Sequence, residues 1–277
     1  MPLVNLNTVM QKAQREKYAV CGLVVLGWED ARAYVAAAEA VGSPVILQAG
    51  PGCRAHTPLS VLGEMFRCLA RDATVPVVAH LDHSYNIEEC REAIECGFTS
   101  VMYDGSRSEL DKNVEDTAAV VEMARGHGVS VEGEIGFVGY DSGEASSYTK
   151  PEEAARFAKE TRVDAMAVSV GNVHLQQTKA AEISFDAIRS IEDLTVTPLV
   201  LHGGSGIPSN TRRKLALETN VCKFNIGTEL RMEFGKALRQ VLAQDEVVFD
   251  RLNILKATEL PLEIATRKIL KTTMSNN

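Results

Sequence analysis

Short apolar runs alternate with longer amphipathic stretches along the whole chain. Runs at 19–26, 44–48, 76–79, 100–103, 129–135, 165–170, 198–201 and 221–225 have the length and composition of buried strands. Between them, helical patterns lie at 29–41, 58–71, 87–96, 109–125, 151–160, 184–192, 210–218 and 229–242. The punctuation agrees: Gly42 and Gly97 stand where helices end, and Pro151 opens a helix as its first residue. Asn86 is placed to cap the next helix, with Glu88 and Glu89 in its first turn. Strict alternation predicts a parallel sheet, and eight strand–helix units predict a closed (β/α)8 TIM barrel, with a doubly wound open sheet as the alternative. The 277 residues suit one such domain over 1–277, and no Ser/Gly linker or low-complexity segment divides them.

A barrel places its reactive residues where strands end. Asp82 and His83 follow the third apolar run within His80-Leu81-Asp82-His83, and Asp104 follows the fourth. Glu132 and Glu134, two apart on the fifth run, share one face. The sixth leads into Gly171-Asn172-Val173-His174, the seventh into His202-Gly203-Gly204-Ser205-Gly206, and the eighth into Asn225-Ile226-Gly227-Thr228. Any one of these is explained by capping or turn chemistry; six consecutive strand ends are not.

Composition narrows the partners. A net charge of −8 without a basic run argues against nucleic acid. The six cysteines are scattered, with no CxxC spacing, and no stretch approaches 18 apolar residues. Met1 to Met10 lacks the charged start of a targeting segment, so the expectation is a reduced, soluble, cytoplasmic protein with no membrane partner.

His83, His174 and His202, on loops 3, 6 and 7, can converge over the barrel mouth, and three imidazoles with an open fourth position describe a catalytic Zn²⁺ site. Asp104 and Glu134 either hold that metal in a second position, hold a second cation, or orient the histidines as acceptors. The glycines at 203, 204 and 227 leave backbone N–H groups open to an anion, on the two loops with which barrels frequently bind phosphate. Metal beside phosphate suggests Lewis-acid polarisation of a phosphosugar and a developing enediolate, with Asp82 as general acid/base for a substrate hydroxyl. Lys223 shares a strand face with Asn225; if that face is interior, it needs a buried carboxylate such as Glu132, a structural role.

Over about residues 5–242 the sequence resembles the class II, metal-dependent fructose-bisphosphate/tagatose-bisphosphate aldolases. The matching stretches are Pro44-Val45-Ile46-Leu47-Gln48, Ala79-His80-Leu81-Asp82-His83-Ser84, Val131-Glu132-Gly133-Glu134-Ile135-Gly136, Gly171-Asn172-Val173-His174, Leu201-His202-Gly203-Gly204-Ser205-Gly206 and Lys223-Phe224-Asn225-Ile226-Gly227-Thr228. The resemblance implies a zinc-dependent barrel that cleaves or forms a ketose phosphate through dihydroxyacetone phosphate, in dimers or tetramers. By the same resemblance His83, His174 and His202 ligate zinc, and Asp82 exchanges the hydroxyl proton. Asp104 and Glu134 serve a second metal position, a divalent or monovalent cation. Gly203, Gly204 and Ser205, with Asn225, Ile226, Gly227 and Thr228, contact the phosphate and dihydroxyacetone half.

The chain departs from the family pattern in several places. Gly22-Leu23-Val24 stands for a usual Ala-Phe-Asn, Gly50 for a Ser or Thr, and Leu175 for the Gly after the strand-6 histidine. The family's loop Glu, eight residues beyond the second strand glutamate, falls at Ser142, leaving Asp141 or Glu144 to substitute or to be solvated loop acids. Residues 250–277, expected to be helical, do not read like the usual C-terminus, a region that helps select the aldehyde. The leading expectation is a lyase acting on a ketose 1-phosphate or bisphosphate. A phosphosugar isomerase or epimerase and a non-catalytic phosphosugar-binding protein are the alternatives.

Overall fold

The structure, a computed structural model, describes residues 3–141 and 143–274; Ser142 and residues 275–277 of the C-terminal segment lie outside them. Eight parallel strands run in chain order around a closed barrel: β1 (Val20–Val24), β2 (Val45–Ala49), β3 (Val77–Ser84), β4 (Ser100–Tyr103), β5 (Ser130–Ile135), β6 (Ala165–Val168), β7 (Leu199–Leu201) and β8 (Val221–Ile226). Closure rests on β8 pairing with β1, through Val20 opposite Lys223 to Leu23 opposite Ile226, which excludes the open sheet. Helix α1 (Leu6–Glu16) precedes β1, and α2 (Trp28–Val41) follows it. After β2 come α3 (Pro51–His56) and α4 (Leu59–Asp72). Then α5 (Ile87–Glu95), α6 (Leu110–Arg125), α7 (Pro151–Thr161), α8 (Phe185–Glu192), α9 (Ser209–Glu218) and α10 (Thr228–Gln244) each follow one strand, and α11 (Arg251–Thr273) closes the described chain.

Side-chain alternation sorts the strand residues into two cores. Outward residues such as Leu23, Leu47, Leu81, Val101 and Phe224 pack under the ring of helices. Inward residues at the lower end, among them Val20, Ile46, Val78, Ala165 and Val200, pack against Leu6, Val9, Met10 and Ala13 of α1. Helix α1 therefore plugs the end of the barrel away from the site. Its start is set by Asn5, whose side chain accepts from the Thr8 N–H at 3.0 Å. Helix α11 lies along α2 and α10, and its Thr273 carbonyl accepts from the Ala19 N–H at 2.8 Å. No helix among the described residues is long and apolar enough to cross a membrane.

One strand differs from its sequence-based bounds in a way that matters. The apolar run at 76–79 continues as β3 to Ser84, because His80 and Asp82 are polar residues facing the interior rather than the start of a loop. Pairing with β4 slips between Leu81 and Ser84, and His83 adopts left-handed backbone, φ 51°. The bulge turns the His83 ring towards the barrel mouth.

Candidate active site

The site stands on a polar floor inside the barrel. Lys223 Nζ lies 2.6 Å from Glu132 Oε2, both fully buried, and His202 Nε2 lies 3.0 Å from Glu132 Oε1. On the other side, Lys223 Nζ is 3.4 Å from His80 Nε2, whose Nδ1 meets Ser100 Oγ at 2.8 Å. Burial first, then the Lys223 charge, hold His80 well below its usual pKa, so it is neutral: Nε2 accepts from Lys223 and Nδ1–H donates to Ser100. The Lys223–Glu132 pairing is the one its strand face implied. Room for this floor comes from Gly22, where a Cβ would stand 1.5 Å from Gln48 Oε1 and 3.0 Å from Lys223 Cε.

Above the floor three imidazoles meet. Ring centroids are 4.6 Å apart for His83–His202, 5.2 Å for His83–His174 and 5.6 Å for His174–His202. Each triad, His83–His174–His202 and His83–Asp104–Glu134, offers ligand atoms within 4.8 Å of one another. Asp104 accepts from His83 Nδ1 at 2.7 Å, and Glu134 Oε2 lies 3.8 Å from that nitrogen. Burial opposes charge on His83, but Asp82, Asp104 and Glu134 outweigh it and lift its pKa to about 10. Burial would raise Asp104, yet its hydrogen bond from His83 brings it down to about 2. Burial and then the His83 charge depress His174 to about 4 and hold His202 well below its usual value. Neutral His202 donates Nε2–H to Glu132, which leaves the Nδ1 lone pair facing Glu134 Oε2 at 3.5 Å. Both of those atoms are buried without a hydrogen-bond partner. Burial and then Asp104 push the Glu134 carboxyl well above the carboxylate range. Lone pairs left unpaired beside three imidazoles and two carboxylates are a donor set that a divalent cation would satisfy.

A cavity of about 280 Å³ opens over this cluster. Asp82 lines it and accepts from Asn225 Nδ2 at 3.1 Å; burial would raise its pKa, but the His83 charge and its neighbours win and keep it ionised. Gly203, Ser205, Asn225, Gly227 and Thr228 line the same cavity, whereas Gly204 and Ile226 are buried outside its lining. Gly203 is left-handed, φ 65°, and a Cβ there would stand 2.1 Å from the Val173 carbonyl, so the turn admits only glycine. Ser205 Oγ accepts at 3.2 Å from the N–H groups of both Gly227 and Glu229, at the start of the 17-residue α10. Amide hydrogens and the positive end of that helix converge there, a setting for an anion.

The loop between β5 and α7 covers one side. Tyr140 stacks on His174 at 5.1 Å and lines the cavity; Asp141, next to it, donates its backbone N–H to the His174 carbonyl at 3.0 Å. Neither Asp141 nor Glu144 is among the cavity-lining residues, and Glu144 is paired with Arg107 at 2.8 Å on the surface. Leu175 lines the rim, half exposed, in left-handed backbone, φ 58°. Such a conformation costs a non-glycine residue about 1–2 kcal/mol, which accounts for the glycine expected there. Tyr85, Tyr140 and Arg231 also line the cavity and carried no motif in the sequence. Only their places after β3, after β5 and in the first turn of α10 could have pointed to them.

A closed parallel barrel with a histidine cluster and an amide nest at its C-terminal mouth is the framework of a metal-assisted enzyme acting on anionic substrates. Residues 4–277 match the family described as fructose-bisphosphate aldolase class-II. Fructose-bisphosphate aldolase of Geobacillus stearothermophilus is 39% identical over 262 residues, covering 92% of this chain and 91% of that protein. The 6-phospho-5-dehydro-2-deoxy-D-gluconate aldolase of Shouchella clausii is 35% identical, covering 98% and 94%. The crystal structure of the YdjI aldolase from Escherichia coli K12 superposes with a TM-score of 0.86 at 30% identity, covering 98% of this chain and 97% of that one. The chain belongs to the class II fructose-bisphosphate aldolase family. It is a metal-dependent aldolase, a lyase, and its family acts on phosphorylated sugars.

The buried floor generates a stability prediction. Replacing Lys223 with Met leaves Glu132 without its cation, and we expect a loss of about 3–5 kcal/mol in urea unfolding. A loss below about 1 kcal/mol, the range of exposed pairs, would show that the pair is not the constraint described.

Proposed function

We propose that the enzyme reversibly cleaves a ketose 1-phosphate or ketose bisphosphate into dihydroxyacetone phosphate and an aldehyde. The observation that carries this reading is the presence of Asp82, His83 and His174 in one cavity with Gly203, Ser205, Gly227 and Thr228 of the nest. The residues that would hold zinc are His83, His174 and His202, with Asp104 and Glu134 serving a second position or a second cation. A divalent ion there supplies a Lewis acid that stabilises negative charge developing on the ketone oxygen by several kcal/mol.

The chain's own residues do the rest. Gly203 and Ser205, with Asn225, Gly227 and Thr228, hold the phosphate and dihydroxyacetone half, while Gly204 and Ile226, expected to join them, pack against each other behind the lining. Asp82, ionised, takes the proton of the hydroxyl next to the scissile bond. The oxygen's electron pair becomes the aldehyde carbonyl as the C–C bond breaks, and the bond's pair remains as the enediolate. Glu144 or Asp141 then returns a proton to that carbon. The Arg107–Glu144 pair is more than half exposed on both sides, so releasing it for loop closure costs about 1 kcal/mol or less. On the aldehyde side, Gly50, Pro51 and Gly52 leave small uncharged walls, and Arg231, whose charge reaches Asp30, is in no close ion pair among the described residues. An acceptor with an anionic far end fits this better than a neutral one.

Incubation with zinc, dihydroxyacetone phosphate and a panel of charged and uncharged aldehydes should give condensation products, the anionic acceptors reacting fastest. No product across the panel would overturn the reading. Exchange of the C3 proton of dihydroxyacetone phosphate with D₂O should fall about 100-fold or more in an Asp141→Ala/Glu144→Ala double variant. Unchanged exchange removes both acids as the base.

Metal uptake should depend steeply on pH. A protonated His83 stabilises the metal-free fold fully below its unfolded value of 6.5, and that contribution is lost as pH rises through about 10. A cation must displace that proton, so between pH 6.5 and 8.5 zinc affinity should rise about tenfold per pH unit. Competition against a chromophoric chelator measures this, and a flat profile would contradict it.

The reading extends to a cytoplasmic homodimer or homotetramer. Val247, Phe249 and Leu252, all strongly exposed where α10 meets α11, support self-association. In sedimentation velocity, Phe249→Glu should shift the distribution towards monomer; an unaltered assembly would move the interface elsewhere.

A further inference from the structure

Arg54 belongs to no motif, yet its guanidinium is fully committed beneath the site. Helix α3 begins at Pro51 and carries residue 54 back under the end of β3, where its side chain is 7% exposed. Nε donates to Glu89 Oε1 at 2.8 Å, and Nη2 donates to Glu89 Oε2 at 2.9 Å and to the His83 carbonyl at 3.0 Å. Nη1 donates to the carbonyls of Ala49 at 2.7 Å and Asp82 at 2.6 Å. That uses all five N–H donors of the group.

The acceptors are significant. Strand β2 pairs with β3 only as far as Ala49 opposite Leu81, and the pairing with β4 skips from Leu81 to Ser84. Asp82 and His83 thus lie where the ladder lapses on both sides, and Arg54 takes their carbonyls instead. Those two carbonyls belong to the peptide units on either side of the His83 Cα. Holding both peptide units fixes φ and ψ of His83, the left-handed residue at 51°. A non-glycine residue stays in that conformation only where its surroundings over-determine it. Glu89 anchors the other edge of the fork from the first turn of α5, itself capped by Asn86 at 2.8 Å.

We propose that Arg54 is a positioning residue for the reaction: by clamping the peptide units around His83 it aims the His83 imidazole into the three-histidine cluster and holds the neighbouring Asp82 carboxylate at the cavity. The kinetic half of this rests on the aldolase reading; the metal-binding half stands on its own. A lysine offers three donors on a point charge and cannot reproduce the planar fork.

The test uses the full chain as Arg54→Lys and as Glu89→Gln, with zinc affinity by chelator competition, kcat and KM, and the thermal transition. Arg54→Lys should bind zinc about 10–100-fold more weakly and lose kcat by a similar factor. KM for dihydroxyacetone phosphate should hold within about twofold, because the nest on the loops after β7 and β8 is untouched. Glu89→Gln should fall between wild type and Arg54→Lys in both readouts. A folded Arg54→Lys with wild-type zinc affinity and kcat overturns the proposal, as does a lowered melting temperature with zinc affinity unchanged. If Arg54→Lys does not fold, Glu89→Gln decides: zinc affinity equal to wild type overturns the proposal. A wild type without condensation activity counts against the aldolase reading alone, because the zinc arm still judges Arg54.

Discussion

One carboxylate links the barrel's interior to its mouth. Glu132, fully buried on β5, is shared between the Lys223 ammonium and the His202 imidazole, and Lys223 leads on to His80 and Ser100. The network touches β3, β4, β5 and β8 and the residue that follows β7, so a group at the centre of the barrel sets the ring that stands at its rim. Desolvating both charges is costly, and a buried ion pair is weak evidence for net stability. Its use here is orientation. By accepting the hydrogen bond of the His202 Nε2–H, Glu132 leaves Nδ1 as the free lone pair, facing Glu134. An apolar substitute would fill the volume without choosing the tautomer.

The upper and lower halves of the barrel follow different rules. Below, α1 seals the interior with Leu6, Val9, Met10 and Ala13, and packing is apolar throughout. Above, two non-glycine residues, His83 and Leu175, hold left-handed backbone, and Gln48 keeps both amide atoms buried without partners. Lys17 and Arg162 are left-handed too, but as the caps that end α1 and α7. His83 and Leu175 instead stand beside the site, where strain marks a fold that gives up local stability for geometry. The sealed end can supply the difference because it carries no chemistry.

Much of this was legible in the residues. All eight strands and their helices followed from short apolar runs and their punctuation, and the meeting of His83, His174 and His202 at the mouth followed from their places after strands. The Lys223–Glu132 pair followed from two side chains forced onto interior faces. The length of β3 did not, because polar residues turned inward end an apolar run without ending a strand. Helix α1 carries apolar residues at 6, 9, 10 and 13 behind Asn5, a readable helical pattern that stands outside the strand–helix repeat. Arg54 was hidden for a deeper reason: its five acceptors are spread over residues 49 to 89 and include three backbone carbonyls, which carry no sequence signal at all. Glu144 likewise meets Arg107 across 37 positions that no local pattern connects.

The loop after β5 brings these constraints together. It is joined to the residue 174 backbone on both sides: the His174 N–H donates to the Gly139 carbonyl at 2.8 Å, and the Asp141 N–H donates to the His174 carbonyl at 3.0 Å. Tyr140, between them, lies against the His174 ring. The loop that carries the candidate acids therefore also frames the one imidazole in the cluster that neither Glu132 nor Asp104 touches. His83 is fixed by its neighbours' carboxylates and His202 from the barrel floor, but His174 takes its support from a surface loop. Any displacement of that loop breaks the two bonds or carries His174 along, so the position of the third imidazole and that of the loop acids are linked through one short bridge of backbone.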